Sequence, residues 1–268
     1  MAPVGKRRTQ IESFALQPGQ TVGGHYTVTA MLGRGYEGEV YRVRERRTGV
    51  TRAAKLFFPH RNERDRAVRR YARKLERLRD CPLLMKYHHS ETIRFETGPV
   101  TALISEYIEG EILDNFVERQ PGKRLAVFEA MCLLHTLAVG LEKVHSRREY
   151  HGDMHAGNVI IRRRGVFFDA KVVDLYDWGA PSAENRREDV INMIRLFYDA
   201  LGGKSAYRAL PDEAKWICCG LKRGMIVERF PTARHLRMHL ERFEWDPTKA
   251  VIAQLGADSV KSATQMLT

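Results

Sequence analysis

The chain has 268 residues, 43% hydrophobic and 29% charged, with a formal net charge of +12. That balance describes a folded globular chain, long enough for one two-lobed domain or two small ones, and excludes a disordered or low-complexity polymer. No apolar run approaches a bilayer span and the first eight residues lack the apolar stretch of a secretion signal, so a soluble cytoplasmic protein with no membrane span is expected.

Residues 1–20 are mixed in character and include Gln17-Pro18-Gly19-Gln20, which reads as an N-terminal arm. From Tyr26 the pattern turns to period two: strands over 26–32 and 39–44 flank a glycine loop, and Thr48-Gly49 turns the chain into a third strand over 51–58. Residues 61–79 follow as one basic amphipathic helix, in which Arg64, Arg66, Arg69, Arg70, Arg73, Lys74 and Arg77 surround a thin stripe of Val68, Tyr71, Ala72, Leu75 and Leu78. Two more strands are expected over 93–96 and 100–106.

Beyond Glu109-Gly110 the chain becomes mainly helical. Phe128, Met131, Leu134, Ala138, Leu141 and Val144 recur at helix period across 125–145, and further helices are expected over 189–201, 212–221 and 232–243, the last with Thr232 as N-cap. The organisation is therefore α+β: a small antiparallel-sheet lobe over 21–108, a mainly helical lobe over 109–246, and a C-terminal tail over 247–268.

The basic balance suits nucleic acid, an acidic protein or a membrane surface, and charge alone does not choose among them. The basic helix over 61–79 is either a solvated face above a packing stripe or a docking surface for an anionic partner. Nucleic acid is disfavoured, because the chain shows no interleaved aromatic platform and no recognition motif. Cys81, Cys132, Cys218 and Cys219 show no C-x-x-C or zinc-ligand spacing and read as reduced structural cysteines.

Three stretches carry chemistry. Gly33-Arg34-Gly35-Tyr36-Glu37-Gly38 is a G-x-G-x-x-G run, but it opens into an alternating strand rather than a helix, which fits a flap over phosphates better than a dinucleotide turn. Lys55 lies among apolar residues at the centre of the third strand, a costly place for an ammonium unless it meets an anion such as a phosphate pair. The segment His151-Gly152-Asp153-Met154-His155-Ala156-Gly157-Asn158 sets a carboxylate and an amide five residues apart between a helix and a strand. Such a pair suits phosphoryl transfer, in which positioning of nucleophile, metal and phosphates does most of the work.

Taken in this order, the motifs resemble the eukaryotic-type (serine/threonine) protein kinase-like superfamily over 26–243, which implies a bilobal kinase fold, ATP and Mg2+. The resemblance implies Gly33, Gly35 and Gly38 over the phosphates, Val40 and Ala53 against adenine, and Lys55 on the α- and β-phosphates. Glu106-Tyr107-Ile108 looks like the hinge whose backbone binds the adenine edge, with Ser105 before it as gatekeeper. Asp153 would be the catalytic-loop base and Asn158 a metal ligand. Asp174 is preferred as the second metal ligand over Asp177, whose Asp-Trp-Gly is nearer the usual Asp-Phe-Gly by letters but requires a longer hairpin. Asp189 resembles the aspartate that anchors the catalytic loop, and Arg229-Phe230-Pro231-Thr232-Ala233 the late arginine motif of the helical lobe.

The departures are as informative. Gly152 stands where an arginine commonly precedes the catalytic aspartate, which removes the usual receptor for an activating phosphate. His155 stands where a lysine is usual, and the whole loop is similar to that of aminoglycoside and other small-molecule phosphotransferases; protonated, His155 would still stabilise phosphate. Only fourteen residues separate Asp174 from Asp189, too few for the segment on which protein kinases lay a peptide. The glutamate that should pair with Lys55 is open: the alignment of the stripe puts Tyr71 in its place, Glu76 lies a turn later, and Glu63 is a poorer candidate.

The reading is an ATP- and Mg2+-dependent kinase that moves the γ-phosphate to a hydroxyl, foremost an atypical serine/threonine protein kinase with a short activation segment. The alternatives are a small-molecule kinase and a pseudokinase-like ATP-binding interaction module.

Overall fold

A computed structural model describes residues 11–95, 98–165 and 167–242. The expected tail over 247–268, and the ends of two expected elements at Glu96 and Phe243, lie outside the described residues. The chain divides into two compact units, one taking in the chain up to Asp80 with Leu84–Ile108, the other Cys81–Leu83 and the chain from Glu109 onward.

The first unit is built on a six-stranded antiparallel sheet of β1 (Thr21–Val22), β2 (Tyr26–Arg34), β3 (Gly38–Glu45), β4 (Thr51–Phe57), β5 (Tyr87–Phe95) and β6 (Gly98–Glu106), in the order β1-β2-β3-β4-β6-β5. The strict alternation of β3 and β4 sorts their side chains. Tyr41, Val43, Ala54 and Leu56 enter one core with Val28, Ala102 and Ile104, where each fully buried Val, Leu or Ile contributes about 1.5–3 kcal/mol. Val40, Ala53 and Lys55 take the opposite face, with Val40 opposite Lys55 and Ala53 opposite Ser105 in the ladders. The Thr48-Gly49 turn closes as expected, with the Gly49 amide donating to Glu45 O at 2.8 Å.

Of the expected arm over 1–20, residues 1–10 lie outside the described residues, and residues 11–16 lie against the sheet. Ile11, Phe14 and Leu16 pack on the outer core, and Phe14 stacks on Phe58 at 5.4 Å and meets Phe95 at a tilt, 5.3 Å between ring centroids.

The basic helix is shorter than its charge pattern. Two 3-10 turns, Pro59–Arg61 and Glu63–Asp65, precede α1 (Arg66–Arg77). The buried Asn62 explains the late start: its Oδ1 accepts the Val68 amide at 3.2 Å and its Nδ2 donates to Asp65 at 3.1 Å, while Arg64 and Asp65 take positive φ. The Asn62 Oδ1 thus satisfies a first-turn amide for which a preceding helical turn would otherwise supply the carbonyl. The expected stripe is buried at Val68, Tyr71, Leu75 and Leu78, whereas Arg69, Arg70 and Arg73 face solvent.

The second unit holds β7 (Glu111–Ile112), α2 (Leu113–Glu118), α3 (Val127–Ser146), β8 (Val159–Arg164), β9 (Phe167–Val172), α4 (Ala183–Ala200), α5 (Gly203–Ala206), α6 (Asp212–Cys218), α7 (Arg223–Arg229) and α8 (Ala233–Arg242). The three strands form a small sheet in the order β7-β8-β9. The central helix α3 buries Met131, Leu134, Leu137, Leu141 and Val144, and α4, α8 and β9 pack on it.

Helix α4 begins six residues before Asp189, where its apolar period begins. Ser182 caps it: the Asn185 amide donates to Ser182 Oγ at 3.1 Å, and the Ser182 amide donates back to Asn185 Oδ1 at 3.0 Å. The polar residues from Glu184 to Glu188 conceal these first turns from any reading by hydrophobic period. No helix among the described residues is long and apolar enough to cross a membrane.

Candidate active site

In the first unit the glycine run lies at the β2–β3 turn, where the Gly35 amide donates to Gly38 O at 2.9 Å. Gly38 is fixed by packing, since a Cβ there would collide with the carbonyl oxygen of Leu56. Gly33 and Gly35 are different: among the described residues nothing lies within 4 Å of a Cβ built on either, so the flap keeps its backbone bare on that side.

Lys55 projects from β4 with its Nζ 2.9 Å from Glu37 Oε2, a carboxylate of the flap itself. Its ammonium also lies 5.0 Å from the centroid of the Tyr71 ring and 5.4 Å from that of Phe57, within cation–π range. Tyr71 therefore stands on Lys55 where the resemblance implies a helix glutamate. Glu76 instead pairs with Arg79 at 2.9 Å on the solvent side of α1, and Glu63 is exposed in the preceding 3-10 turn. Sequence reasoning missed Glu37, because flap curvature rather than any residue spacing brings it to β4.

Glu106 closes β6, its amide donating to Lys86 O at 2.9 Å; Ser105 before it is buried, and Tyr107 lies under the guanidinium of Arg42 at 5.9 Å. Ile108 ends the first unit, half-buried.

In the second unit Asp189 of α4 organises the loop that follows α3. It is fully buried, and its carboxylate accepts the His151 amide at 2.6 Å, the Gly152 amide at 2.8 Å and His145 Nε2 at 3.1 Å. His151 is equally committed: Nδ1 accepts the Asp153 amide at 3.2 Å, which leaves the proton on Nε2, donated to Val173 O at 3.1 Å. Both its ring nitrogens are thus in hydrogen bonds.

This anchoring presents Asp153, Asn158 and His155 together. Asn158 Nδ2 donates to Asp153 O at 2.9 Å and to Asp153 Oδ2 at 3.0 Å, so the amide holds the carboxylate and turns its own Oδ1 away from it. His155 accepts the Gly157 amide on Nδ1 at 3.1 Å and sets Nε2 3.6 Å from Asp153 Oδ2. The Val173 amide donates to Asn158 O at 2.9 Å, which brings the end of β9, and Asp174 just beyond it, to the same loop. Asp174 takes a left-handed backbone (φ 55°), a conformation that short polar residues tolerate and that marks functional turns.

Asp177 does other work. Its Oδ1 accepts the Gly179 amide at 2.8 Å and faces the Tyr150 hydroxyl at 3.3 Å. Tyr150 also accepts the Trp178 amide at 2.6 Å, and burial pushes its phenol up to about 12, so it stays protonated and pins this turn.

Gly152 has a physical reason. Its φ is +90°, and a Cβ would lie 2.7 Å from Tyr176 O and 3.2 Å from Trp178 Cδ1. The Trp178 indole, which donates to Gly152 O at 2.8 Å, occupies the room an arginine side chain would need. His145, Tyr150 and Trp178 escaped sequence reasoning because each acts through a partner 26 to 44 residues away.

The profile of the protein kinase domain family matches residues 26–210. The chain is similar to "Serine/threonine-protein kinase bur1" of Neurospora crassa, 31% identical over 157 residues covering 53% of this chain and 26% of that protein. It is also similar to "CBL-interacting protein kinase 30" of Oryza sativa subsp. japonica, 29% identical over 162 residues covering 59% of this chain and 32% of that protein. The chain thus spans about a quarter to a third of the length of these relatives. Among solved structures, a double mutant of the Mycobacterium tuberculosis PknI kinase domain matches with a TM-score of 0.64 at 21% identity, covering 85% of this chain and 98% of that one, which shows the same fold. With motifs, loop architecture and profile in agreement, the chain belongs to the protein kinase domain family, a family of ATP-dependent phosphotransferases.

Proposed function

We infer that this protein binds ATP with Mg2+ and transfers the γ-phosphate to a hydroxyl, as an atypical serine/threonine protein kinase with a short activation segment. The observation that carries the reading is the loop hung on Asp189, which holds the Asp153 carboxylate in the grip of the Asn158 amide. With Oδ2 engaged by Asn158, the second oxygen of Asp153 is left to receive and steer the acceptor hydroxyl. His155 Nε2, 3.6 Å from the Oδ2 that Asn158 engages, is placed to meet phosphate charge.

The residues fit magnesium. Asn158 Oδ1 and the Asp174 carboxylate are hard oxygen donors, and Mg2+ typically takes one or two carboxylates together with substrate phosphates rather than an all-protein cage. Bound Mg-ATP supplies the transferable phosphoryl group and neutralises its charge. Lys55, with its ammonium held at the flap, would receive phosphate oxygens in place of Glu37. Replacing Glu37 by glutamine removes that competitor, and the affinity for Mg-ADP, read by calorimetry, is expected to rise about two- to fivefold, the range of a partly exposed ion pair.

The metal assignment has its own test. Asp177 is engaged in its own turn, whereas Asp174 lies two residues past the end of β9 and next to Val173, whose amide donates to Asn158 O, which supports Asp174 as the ligand. Asp174→Asn should therefore weaken magnesium-dependent ADP binding by more than the roughly 10–100-fold that outer partners of a metal typically contribute, while Asp177→Asn leaves it within about threefold. The reverse ranking moves the metal site and overturns the assignment.

Residues 175–182 alone join Asp174 to α4, and Trp178 fills the place of the missing arginine. Activation by phosphorylation in this segment therefore lacks its receptor. The same shortness favours, as a second reading, a small-molecule hydroxyl acceptor. A cytoplasmic setting accords with four free cysteines, among them Cys218, whose thiol burial pushes up to about 12.

A further inference from the structure

The buried carboxylate that the chemistry above does not use is Glu39. It lies on β3 with 1% of its surface exposed. Oε1 accepts the Ser13 hydroxyl at 2.7 Å, and Oε2 accepts the Phe14 amide at 3.0 Å and the Tyr41 hydroxyl. Tyr41 in turn accepts the Leu16 amide at 3.3 Å. Burial pushes the Glu39 carboxyl up, but the donors from Tyr41, Ser13 and Phe14, with Arg34 nearby, outweigh burial and hold it below its ordinary value. Glu39 is therefore an anion at neutral pH, and residues 11–16 are strapped to it.

The strap also reaches the glycine flap. Arg34, between Gly33 and Gly35, sets Nε 3.9 Å from Glu39 Oε1, donates through Nη2 to Glu12 O, and places its guanidinium 5.8 Å over the Phe58 ring on which Phe14 stacks. Ser13 is itself an exposed residue, while its hydroxyl donates to the buried carboxylate.

We propose that Ser13 is a modification site at which a phosphate releases residues 11–16 from the outer face of the sheet. In the modifying step the Ser13 oxygen attacks the γ-phosphorus of ATP on a protein-serine kinase acting in trans. The bond from that phosphorus to the bridging oxygen breaks, ADP leaves with the electron pair, and the hydroxyl proton passes to that enzyme's base. The product has lost the O–H that Glu39 accepted and carries about −1.5 to −2 charge in its place. The phosphate then faces a buried carboxylate, and Arg34, the arginine that approaches Glu39 among the described residues, neutralises at most one of the two anions. The strap lifts, Phe14 leaves Phe58 and Phe95, and Arg34 is freed from the Glu12 carbonyl.

The experiment is amide hydrogen exchange on the full chain with phosphoserine installed at position 13 by codon suppression, against the unmodified chain. Exchange at the Phe14 and Leu16 amides is expected to rise at least tenfold, with a smaller rise across the flap at 33–37. In a Glu39→Gln background the phosphate-induced rise is expected to shrink at least threefold, because the repelling charge is gone. Unchanged or slower exchange in the phosphorylated chain, as Arg34 bridging the phosphate would give, overturns the proposal, and so does an equal rise in both backgrounds. Should Glu39→Gln fail to fold, the phosphoserine and serine chains alone decide, with Ser13→Ala expected to raise exchange less than phosphoserine does.

Discussion

Asp189→Ala is expected to lower the stability of the protein by about 3–5 kcal/mol, the range for removing one partner of a buried charged network. Three donors converge on this carboxylate: the amides of His151 and Gly152 and the His145 ring. Without it, two backbone N–H groups and an imidazole N–H lose their acceptor at a site closed to water, each at a cost of about 1–3 kcal/mol before relaxation. Relaxation means that the loop swings out to water, and Asp153 and Asn158 swing with it. Urea unfolding gives the stability change through its midpoint. Asp189→Asn keeps one carbonyl acceptor and should fall between wild type and alanine, whereas a midpoint unmoved by Asp189→Ala would show that the loop is held by something else.

Asp153→Asn should act in the opposite manner, leaving the fold intact and removing the reaction. The side chain is half exposed, and an asparagine oxygen still accepts from Asn158 Nδ2, so the unfolding midpoint is expected to stay close to that of wild type. The neutral amide cannot take a proton from the acceptor hydroxyl, and the rate of phosphate transfer should fall by about 10²–10⁴, the usual contribution of a positioned base. Affinity for Mg-ADP should change little, because Asp153 is assigned to the acceptor rather than to the nucleotide. A large loss of nucleotide affinity with transfer retained would reassign it.

Much of the first unit was legible because period-two patterning leaves little choice. Tyr41 and Val43 alternate with Val40 and Arg42, and β4 repeats the alternation with Lys55 in the row of Ala53. The same parity places Glu39 on the core face beside Tyr41. A carboxylate in that row signals a buried network, yet its donors, Ser13 and Phe14, lie in a segment whose apolar residues are too few to declare a packed strap.

Hydrophobic period misplaces a helix start where side chains set the boundary, at Asn62 before α1 and at Ser182 before α4. In the candidate site the chemistry-bearing residues could be read from their motifs, because phosphoryl transfer restricts which residue types serve. The supports could not. Glu37 meets Lys55 only because the flap folds back, Tyr71 reaches it from α1, and Trp178 fills the space beside Gly152 across a turn that no pattern announces.

The central claim, that the Asp189-anchored loop performs phosphate transfer, is tested most directly by incubating the purified chain with Mg2+ and γ-labelled ATP. Casein, histone and an aminoglycoside serve as hydroxyl acceptors, and wild type is compared with Asp153→Asn. Label should pass to at least one acceptor with the wild type and fall at least a hundredfold with the variant. Equal labelling by both, or none by either while ATP still binds, would contradict it.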